Sequence, residues 1–194
     1  MYPRICLKFV LRFIMKYHHS AFIYIAATLI ANYTASLFVP IPYIGQFAVG
    51  TLFFGVTFTQ RDRVHKWGKK YVYQMIFLAA VLNVLMCLVL NVPPRIIAAS
   101  FLAIIIAESV DTEIFAALHR RSWFVRALSS NAVSIPIDTL IFTMIAFWGD
   151  LSTPEIIGLL IGDSLVKYVI SFLVALWKEK DNNPSTWVED ASEG

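Results

Sequence analysis

The stretch AFIYIAATLIANYTASLFV, residues 21–39, contains no charged residue. An apolar run of about 18 or more residues is long enough to cross the roughly 30 Å hydrocarbon core of a bilayer as a helix. A long basic segment, residues 1–20, precedes it. Secretory signal peptides have a shorter charged start, an apolar core of about 7–15 residues and a small-residue cleavage site. We therefore predict that residues 21–39 form a retained transmembrane span.

The composition extends this prediction to the whole chain. Of the 194 residues, 58% are hydrophobic and 15% are charged, whereas soluble domains average roughly half apolar and about a quarter charged. The apolar residues also form separate blocks rather than alternating with polar ones. A soluble fold is therefore excluded, and the sequence predicts an all-α integral membrane protein.

Five breaks divide the apolar blocks into six predicted transmembrane helices. Two of the breaks contain two prolines each, Pro40 with Pro42 and Pro93 with Pro94, and these end helices because proline lacks an N–H group and restricts the preceding residue. The predicted spans are residues 21–39, 43–60, 71–92, 95–118, 128–149 and 155–177. We assign residues 21–178 to a six-helix transmembrane domain, residues 1–20 to an amphipathic basic leader along the membrane surface, and residues 179–194 to a disordered polar tail.

The basic residues predict the orientation. Of the 16 Lys and Arg residues, all but Arg95 and Lys167 lie in the leader, the tail, and the charged loops assigned to 61–70 and 119–126. The positive-inside rule then places both termini of this multi-pass membrane protein in the cytoplasm. Topology and anionic lipid account for the net charge of +3, so no nucleic-acid partner is predicted.

Cysteine and histidine predict no further chemistry. Cys6 and Cys87 are not expected to form a disulfide, because one lies in the leader and the other inside an apolar run. No Cys/His cluster has the spacing of a metal site. Neither a metal nor another cofactor is predicted, and the absence of nucleophile and metalloprotease motifs predicts that the chain is not an enzyme.

Ionisable residues inside the fourth and fifth spans predict a binding site, since such groups are costly in lipid and usually face a cavity or a partner. Glu108 and Asp111 are three residues apart and share one helical face with Phe115. In the fifth span Asn131 and Asp138 share one face with Ser134, and Thr139 follows directly. These carboxylates require a solvated or liganded site within the membrane.

Other polar residues in the spans have a structural interpretation. We expect Asp163 and Lys167, four residues apart, to neutralise each other as a pair. Glu113 is expected to pair with Arg120 or Arg121. Pro136 removes one backbone hydrogen bond and frees the carbonyl of Ala132, which protein or cavity water must then satisfy.

The first two spans add weaker candidates. Asn32 is a single polar residue that either binds a ligand or makes a hydrogen bond between helices. Gly50 allows close approach of a helix or a ligand, and Phe53 and Phe54 are aromatic rings suited to stack on a flat molecule.

Several of these motifs together resemble the vitamin uptake transporter (VUT) family over about residues 25–175. The matching elements are Ala31-Asn32, Gly50 with Phe53, Asp62 through Gly68-Lys69-Lys70, Glu108-Ser109-Val110-Asp111 with Phe115, and Asn131 through Asp138-Thr139-Leu140-Ile141-Phe142 with Ala146-Phe147-Trp148-Gly149. The family includes queuosine precursor transporters, six-span inner-membrane proteins implicated in uptake of 7-deazaguanines such as preQ0 and preQ1.

The resemblance implies a deazapurine substrate, and the residues suggest how it is held. A guanine-like edge presents two adjacent donors, which one carboxylate can accept together. Glu108, Asp111 or Asp138 has this capacity, with Asn32 or Asn131 on the other edge and Phe53, Phe54 or Phe115 stacked on the ring.

Three alternatives remain open. The chain is a transporter in its own right, the substrate-binding subunit of a separate energising ATPase, or an importer of another vitamin-like or nucleobase solute. Proton coupling and a homodimer are also left open, because a buried carboxylate can carry a proton and nothing in the sequence identifies an interface.

Overall fold

The computed structural model describes residues 18–181, with side chains described from His19 to Lys178. The leader predicted for residues 1–20 and the disordered tail predicted for residues 179–194 lie largely outside these residues. Where the described part reaches the predicted tail, it is helical as far as Asp181.

The described residues form six α-helices, a two-stranded antiparallel hairpin and a short 3-10 helix. The helices are α1 (His18–Tyr33), α2 (Phe54–His65), α3 (Lys69–Val89), α4 (Pro94–Ala117), α5 (Trp123–Phe147) and α6 (Thr153–Asp181). The hairpin strands are β1 (Phe38–Ile41) and β2 (Gly45–Ala48), and the 3-10 helix is Val49–Phe53.

Helices α3 to α6 follow the last four predicted spans closely. By length and composition, three stretches are able to cross a membrane: Lys69–Val89, Trp123–Phe147 and Thr153–Lys178. Helix α4 has 24 residues, but Glu108, Asp111 and Glu113 interrupt its apolar sequence. The structure therefore agrees with a mainly helical membrane protein.

The structure differs from the prediction in the extent of the first helix and in the continuity of the second. Helix α1 ends at Tyr33, and its 16 residues extend only about 24 Å at 1.5 Å per residue. In place of a second continuous helix over residues 43–60, the chain forms the hairpin, the 3-10 helix and the start of α2. The fold is thus not purely α-helical in the described part.

The hairpin turn depends on unusual backbone angles. Tyr43 has φ of 65° and Gly45 has φ of 149°, which reverse the chain between the paired residues Ile41 and Gly45. Such angles are readily adopted by glycine and rarely by other residues. The chain therefore turns back after β1 to form β2, where the sequence had predicted the start of a second helix.

Glycines allow the hairpin to press directly against α6. A Cβ added at Gly45 would collide with the backbone of Gly158, and one at Gly162 would collide with the carbonyl of Gln46. The hairpin therefore occupies a place that a helix with side chains could not fill. The Gly158/Gly162 spacing resembles the small-residue pattern of membrane helix contacts, but here it receives a hairpin.

We expect Gly162→Ala to destabilise the protein by about 1–3 kcal/mol, the usual cost of overpacking. The added methyl would displace the Gln46 backbone and loosen the hairpin. Gly158→Ala is the matched control, because its Cβ would lie 3.3 Å from the Gly45 Cα and needs only a small adjustment. Thermal unfolding in detergent should rank Gly162→Ala well below Gly158→Ala, and equal midpoints would contradict this packing account.

Arg95 joins the beginning of α4 to the end of α5. Its Nε donates to the carbonyl of Ile145 at 3.2 Å, and its Nη1 pairs with Asp150 at 3.2 Å. A cation is favourable beside the unpaired carbonyls at a helix C-terminus. Arg95 thus has a structural role where α4 begins and α5 ends.

Candidate functional site

One cavity lies among α1, the 3-10 helix, α2, α4, α5 and α6. The volume open to the centres of water molecules is about 130 Å³. On the same measure, a single water needs about 10–15 Å³. The cavity is large enough for a small organic solute. Apolar walls come from residues such as Ala31, Phe54, Ala103, Ile104 and Phe142.

The first polar wall is a buried cluster around Arg61, which we call the Arg61 cluster. The guanidinium pairs with Asp62 at 3.0 Å, Glu108 at 2.8 Å and Asp111 at 2.5 Å. Asp111 also accepts a hydrogen bond of 2.8 Å from the hydroxyl of Ser134. The guanidinium therefore joins α2 to α4, and the hydroxyl of Ser134 joins α5 to the same cluster through Asp111.

The second polar wall is a cluster around Lys167, the Lys167 cluster. Its ammonium pairs with Asp138 at 2.7 Å and Asp163 at 2.6 Å, and donates to Thr139 at 3.0 Å. Asp163 in turn accepts from the hydroxyl of Thr51 and from the backbone N–H of Ala48 at 3.3 Å. A continuous chain of polar contacts thus runs from Asp138 to the hairpin.

The five carboxylates differ in access. Asp62, Asp111 and Asp163 are almost completely buried, and each has one oxygen in an ion pair with Arg61 or Lys167. The side chains of Glu108 and Asp138 are 18% and 31% exposed, and both line the cavity. Asp163 also lines the cavity but is only 6% exposed, so Glu108 and Asp138 are the carboxylates most open to a solute.

Half of the ten predicted site residues line the cavity, and the other half do not. Those that line the cavity are Asn32, Gly50, Phe54, Glu108 and Asp138. Those that lie elsewhere are Phe53, Asp111, Phe115, Asn131 and Thr139, although Asp111 and Thr139 support the two polar clusters from behind.

The predicted stacking by Phe115 and the predicted ligand contact of Asn131 do not agree with their positions. Phe115 is buried beneath Arg126, whose guanidinium carbon lies 3.9 Å from the ring centre. Asn131 donates to the hydroxyl of Ser171 at 2.8 Å, which joins α5 to α6. Both residues share a helical face with a cavity carboxylate, but each lies seven residues, about 10 Å along the helix axis, from it and so falls beyond the cavity.

Asn32 and Gly50 contribute to the cavity wall in a limited way. The Asn32 amide donates to the carbonyl of Thr28 at 2.9 Å within α1. A Cβ at Gly50 would collide with the carbonyl of Ala31, so this glycine is required for close packing of the 3-10 helix on α1.

Two charged residues had been assigned incorrectly from the sequence. Arg61 was placed in a solvated loop, but α2 continues to His65 and leaves Arg61 only 3% exposed. Glu113 pairs with Lys69 at 2.7 Å and with the Tyr73 hydroxyl at 2.5 Å, not with an arginine of the α4–α5 loop. Helix α2 continues to His65, whereas the uncharged stretch from which its end was predicted stops at residue 60.

The pairing of Asp163 with Lys167 is as predicted, but it is incomplete as a description. Lys167 also reaches Asp138 on the neighbouring helix. The i,i+4 spacing predicted the pair of Lys167 with Asp163, but it carries no information about the contact of Lys167 with Asp138 on α5. The carbonyl freed by Pro136 is likewise satisfied by a neighbour, since the Tyr168 hydroxyl donates to the carbonyl of Ala132 at 3.1 Å.

His65 lies near the Arg61 cluster but stays uncharged. Burial, together with the nearby guanidinium groups of Arg126 and Arg61, lowers the pKa of His65 to about 4. The imidazole is therefore neutral across the ordinary physiological range.

Residues 88–178 match the family described as "Putative vitamin uptake transporter". The match runs from the end of α3 through most of α6 and includes Glu108, Asp111, Asp138, Asp163 and Lys167. It supports the resemblance seen in the sequence and suggests that the chain is a membrane transporter rather than an enzyme. No curated protein and no solved structure matches the chain.

Proposed function

We propose that the chain imports a queuosine precursor, a 7-deazaguanine, by binding it in the cavity between the Arg61 and Lys167 clusters. The observation that carries this proposal is that Glu108 and Asp138, the two partly exposed carboxylates, both line one cavity with apolar and aromatic walls. A flat, hydrogen-bonding heterocycle complements such a site. The inner membrane and inward transport belong to the same proposal.

The chemistry of the substrate edge selects a carboxylate as its partner. The guanine-like edge has an N1–H and an exocyclic amine, and a carboxylate accepts both in a bidentate arrangement. Glu108 is suited to this role because only its Oε2 is engaged by Arg61, at 2.8 Å. Its position is thus fixed while accepting capacity remains.

The ring is held by the apolar walls. Phe54 from α2 and Phe142 from α5 both line the cavity and offer faces or edges to a planar heterocycle. Asp138 is available to the opposite polar edge, or to the ammonium of an aminomethyl substituent. This arrangement buries the substrate among α1, α2, α4 and α5.

The test is uptake in bacteria that lack queuosine precursor synthesis and their own uptake system. We expect cells that express the chain and receive a 7-deazaguanine at low concentration to make queuosine in tRNA, visible as a shift in gel mobility. Vector-only cells supply the control. Unmodified tRNA in cells whose membranes contain the protein would contradict independent import of this substrate.

A further inference from the structure

Two carboxylates of the Arg61 cluster converge on one nitrogen. The Nη2 atom of Arg61 lies 3.0 Å from Asp62 Oδ1 and 2.5 Å from Asp111 Oδ2. The third carboxylate, Glu108, occupies Nη1. One guanidinium therefore faces three acidic groups in a site from which water is largely excluded, and like charges this close disfavour full ionisation.

No second cation among the described residues pairs with the three carboxylates, so Arg61 alone balances them by direct contact. The titratable groups that face the cluster are Tyr24 from α1, His65 from α2, Arg126 and Asp138 from α5, and Lys178 from α6. Within the described residues, no salt bridge joins any of them to the three carboxylates. Arg126 and Lys178 instead lie over the rings of Phe115 and Trp123.

Asp62 presents a second, independent sign that the cluster holds something more. Its Oδ2 atom is buried and has no hydrogen-bond partner among residues 18–181, and the residue is 3% exposed. A buried carboxylate oxygen without a partner is costly when ionised. A shared proton lowers that cost by reducing the number of buried negative charges.

Ser134 connects the cluster to the cavity. Ser134 lines the cavity, and its hydroxyl donates to Asp111 Oδ1 at 2.8 Å, whereas Asp111 itself is 0% exposed. A hydroxyl both donates and accepts, so it can pass a proton between cavity water and a carboxylate that water does not reach.

We infer that Asp111 holds an exchangeable proton through which the Arg61 cluster couples solute import to a proton gradient. This inference rests on the proposed function. In one cycle a proton from the side to which the cavity opens adds to the Asp111 carboxylate through Ser134. After the solute has crossed, the Asp111 carboxylic acid releases the proton to the opposite side of the membrane and becomes a carboxylate again.

Glu108 links the two events. The same guanidinium holds Glu108, which we propose accepts the solute, and Asp111, which holds the proton. Neutralising Asp111 leaves Arg61 a stronger partner for Glu108 and Asp62, so occupancy at one position alters the charge at the other. His65 is not the carrier, because its imidazole is already neutral.

The experiment uses the full chain in liposomes with labelled 7-cyano-7-deazaguanine, an uncharged solute. Exchange without a gradient tests the proposed function, and accumulation with an acidic outside medium tests the coupling. With one proton per solute, each pH unit of gradient should support up to about tenfold accumulation. A pH-sensitive dye in the lumen should report acidification during uptake.

Asp111→Asn preserves size and hydrogen-bonding capacity but cannot carry the proton. Whatever its exchange rate, we expect the ratio of accumulation with the gradient to accumulation without it to fall to about one. Glu113→Gln, on the same helix in an exposed pair, should retain the wild-type ratio. Gradient-driven accumulation by Asp111→Asn, or wild-type exchange that ignores the gradient, would overturn the inference.

A measurement without solute separates failure of the coupling from failure of the proposed function. Infrared difference spectra of the wild-type protein should show a carboxylic acid C=O band that titrates and that Asp111→Asn lacks. Glu113→Gln should keep the band. If the wild type shows no titrating buried acid, the inference is wrong even if import occurs, and if the band is present without exchange, only the proposed substrate is wrong.

Discussion

Replacing Glu108 by glutamine should weaken 7-deazaguanine binding by about tenfold to a hundredfold. A hydrogen bond to a charged group contributes roughly 1.5–3 kcal/mol, and glutamine would point an amide donor at one of the two substrate donors. The residue is 18% exposed and holds its place by a 2.8 Å contact with Arg61. Uptake at low substrate concentration should fall in the same proportion.

The matched control is Glu113→Gln, which removes a carboxylate from the exposed end of the same helix. Its pair with Lys69 is exposed to solvent, and exposed ion pairs contribute little to stability, so binding should be unchanged. Asp138→Asn, on the opposite polar wall, should also weaken binding. Wild-type affinity in Glu108→Gln would show that this carboxylate does not accept the substrate.

Removing Arg61 should have the largest effect on stability. Arg61→Ala leaves Asp62, Asp111 and Glu108 without their shared cation, and breaking a buried ion pair in this way costs about 3–5 kcal/mol. We expect a strongly lowered midpoint of thermal unfolding in detergent, or failure to accumulate in the membrane. The loss should shrink as the pH is lowered, because protonation removes the repelling charges.

Arg63 provides the comparison, since it is an exposed arginine two residues away on α2. Arg63→Ala should leave the unfolding midpoint nearly unchanged. The double variant Arg61→Ala, Asp111→Asn should recover part of the stability, because one of the uncompensated charges is gone. Equal midpoints for Arg61→Ala and Arg63→Ala would mean that the buried cluster contributes little to the fold.

The sequence was sufficient to predict the later helices. Proline pairs, glycine and charged loops mark the ends of α3 to α6, and their apolar runs are too long for strands. The prediction failed between Tyr33 and Phe54, where short charge-free segments fit either a helix or a hairpin. The positive φ of Tyr43 and the contact of Gly162 with the hairpin depend on tertiary structure, which periodicity does not report.

The site was predictable on the helices with buried acids. Glu108 and Asp138 were identified because a carboxylate in an apolar run has a cost that requires an explanation. Arg61 was missed because it stands beside Arg63 and Lys66 at a predicted span end, where basic residues are expected to be solvated. Only the tertiary structure, in which the Arg61 side chain reaches Asp111 on α4, shows that this arginine is buried.

The central claim is tested most directly by equilibrium binding of labelled 7-cyano-7-deazaguanine to the purified full chain. We predict saturable binding that excess 7-aminomethyl-7-deazaguanine displaces and that Glu108→Gln weakens, with Glu113→Gln unaffected. The absence of saturable binding to protein that unfolds cooperatively on heating would contradict the claim that this cavity holds a 7-deazaguanine.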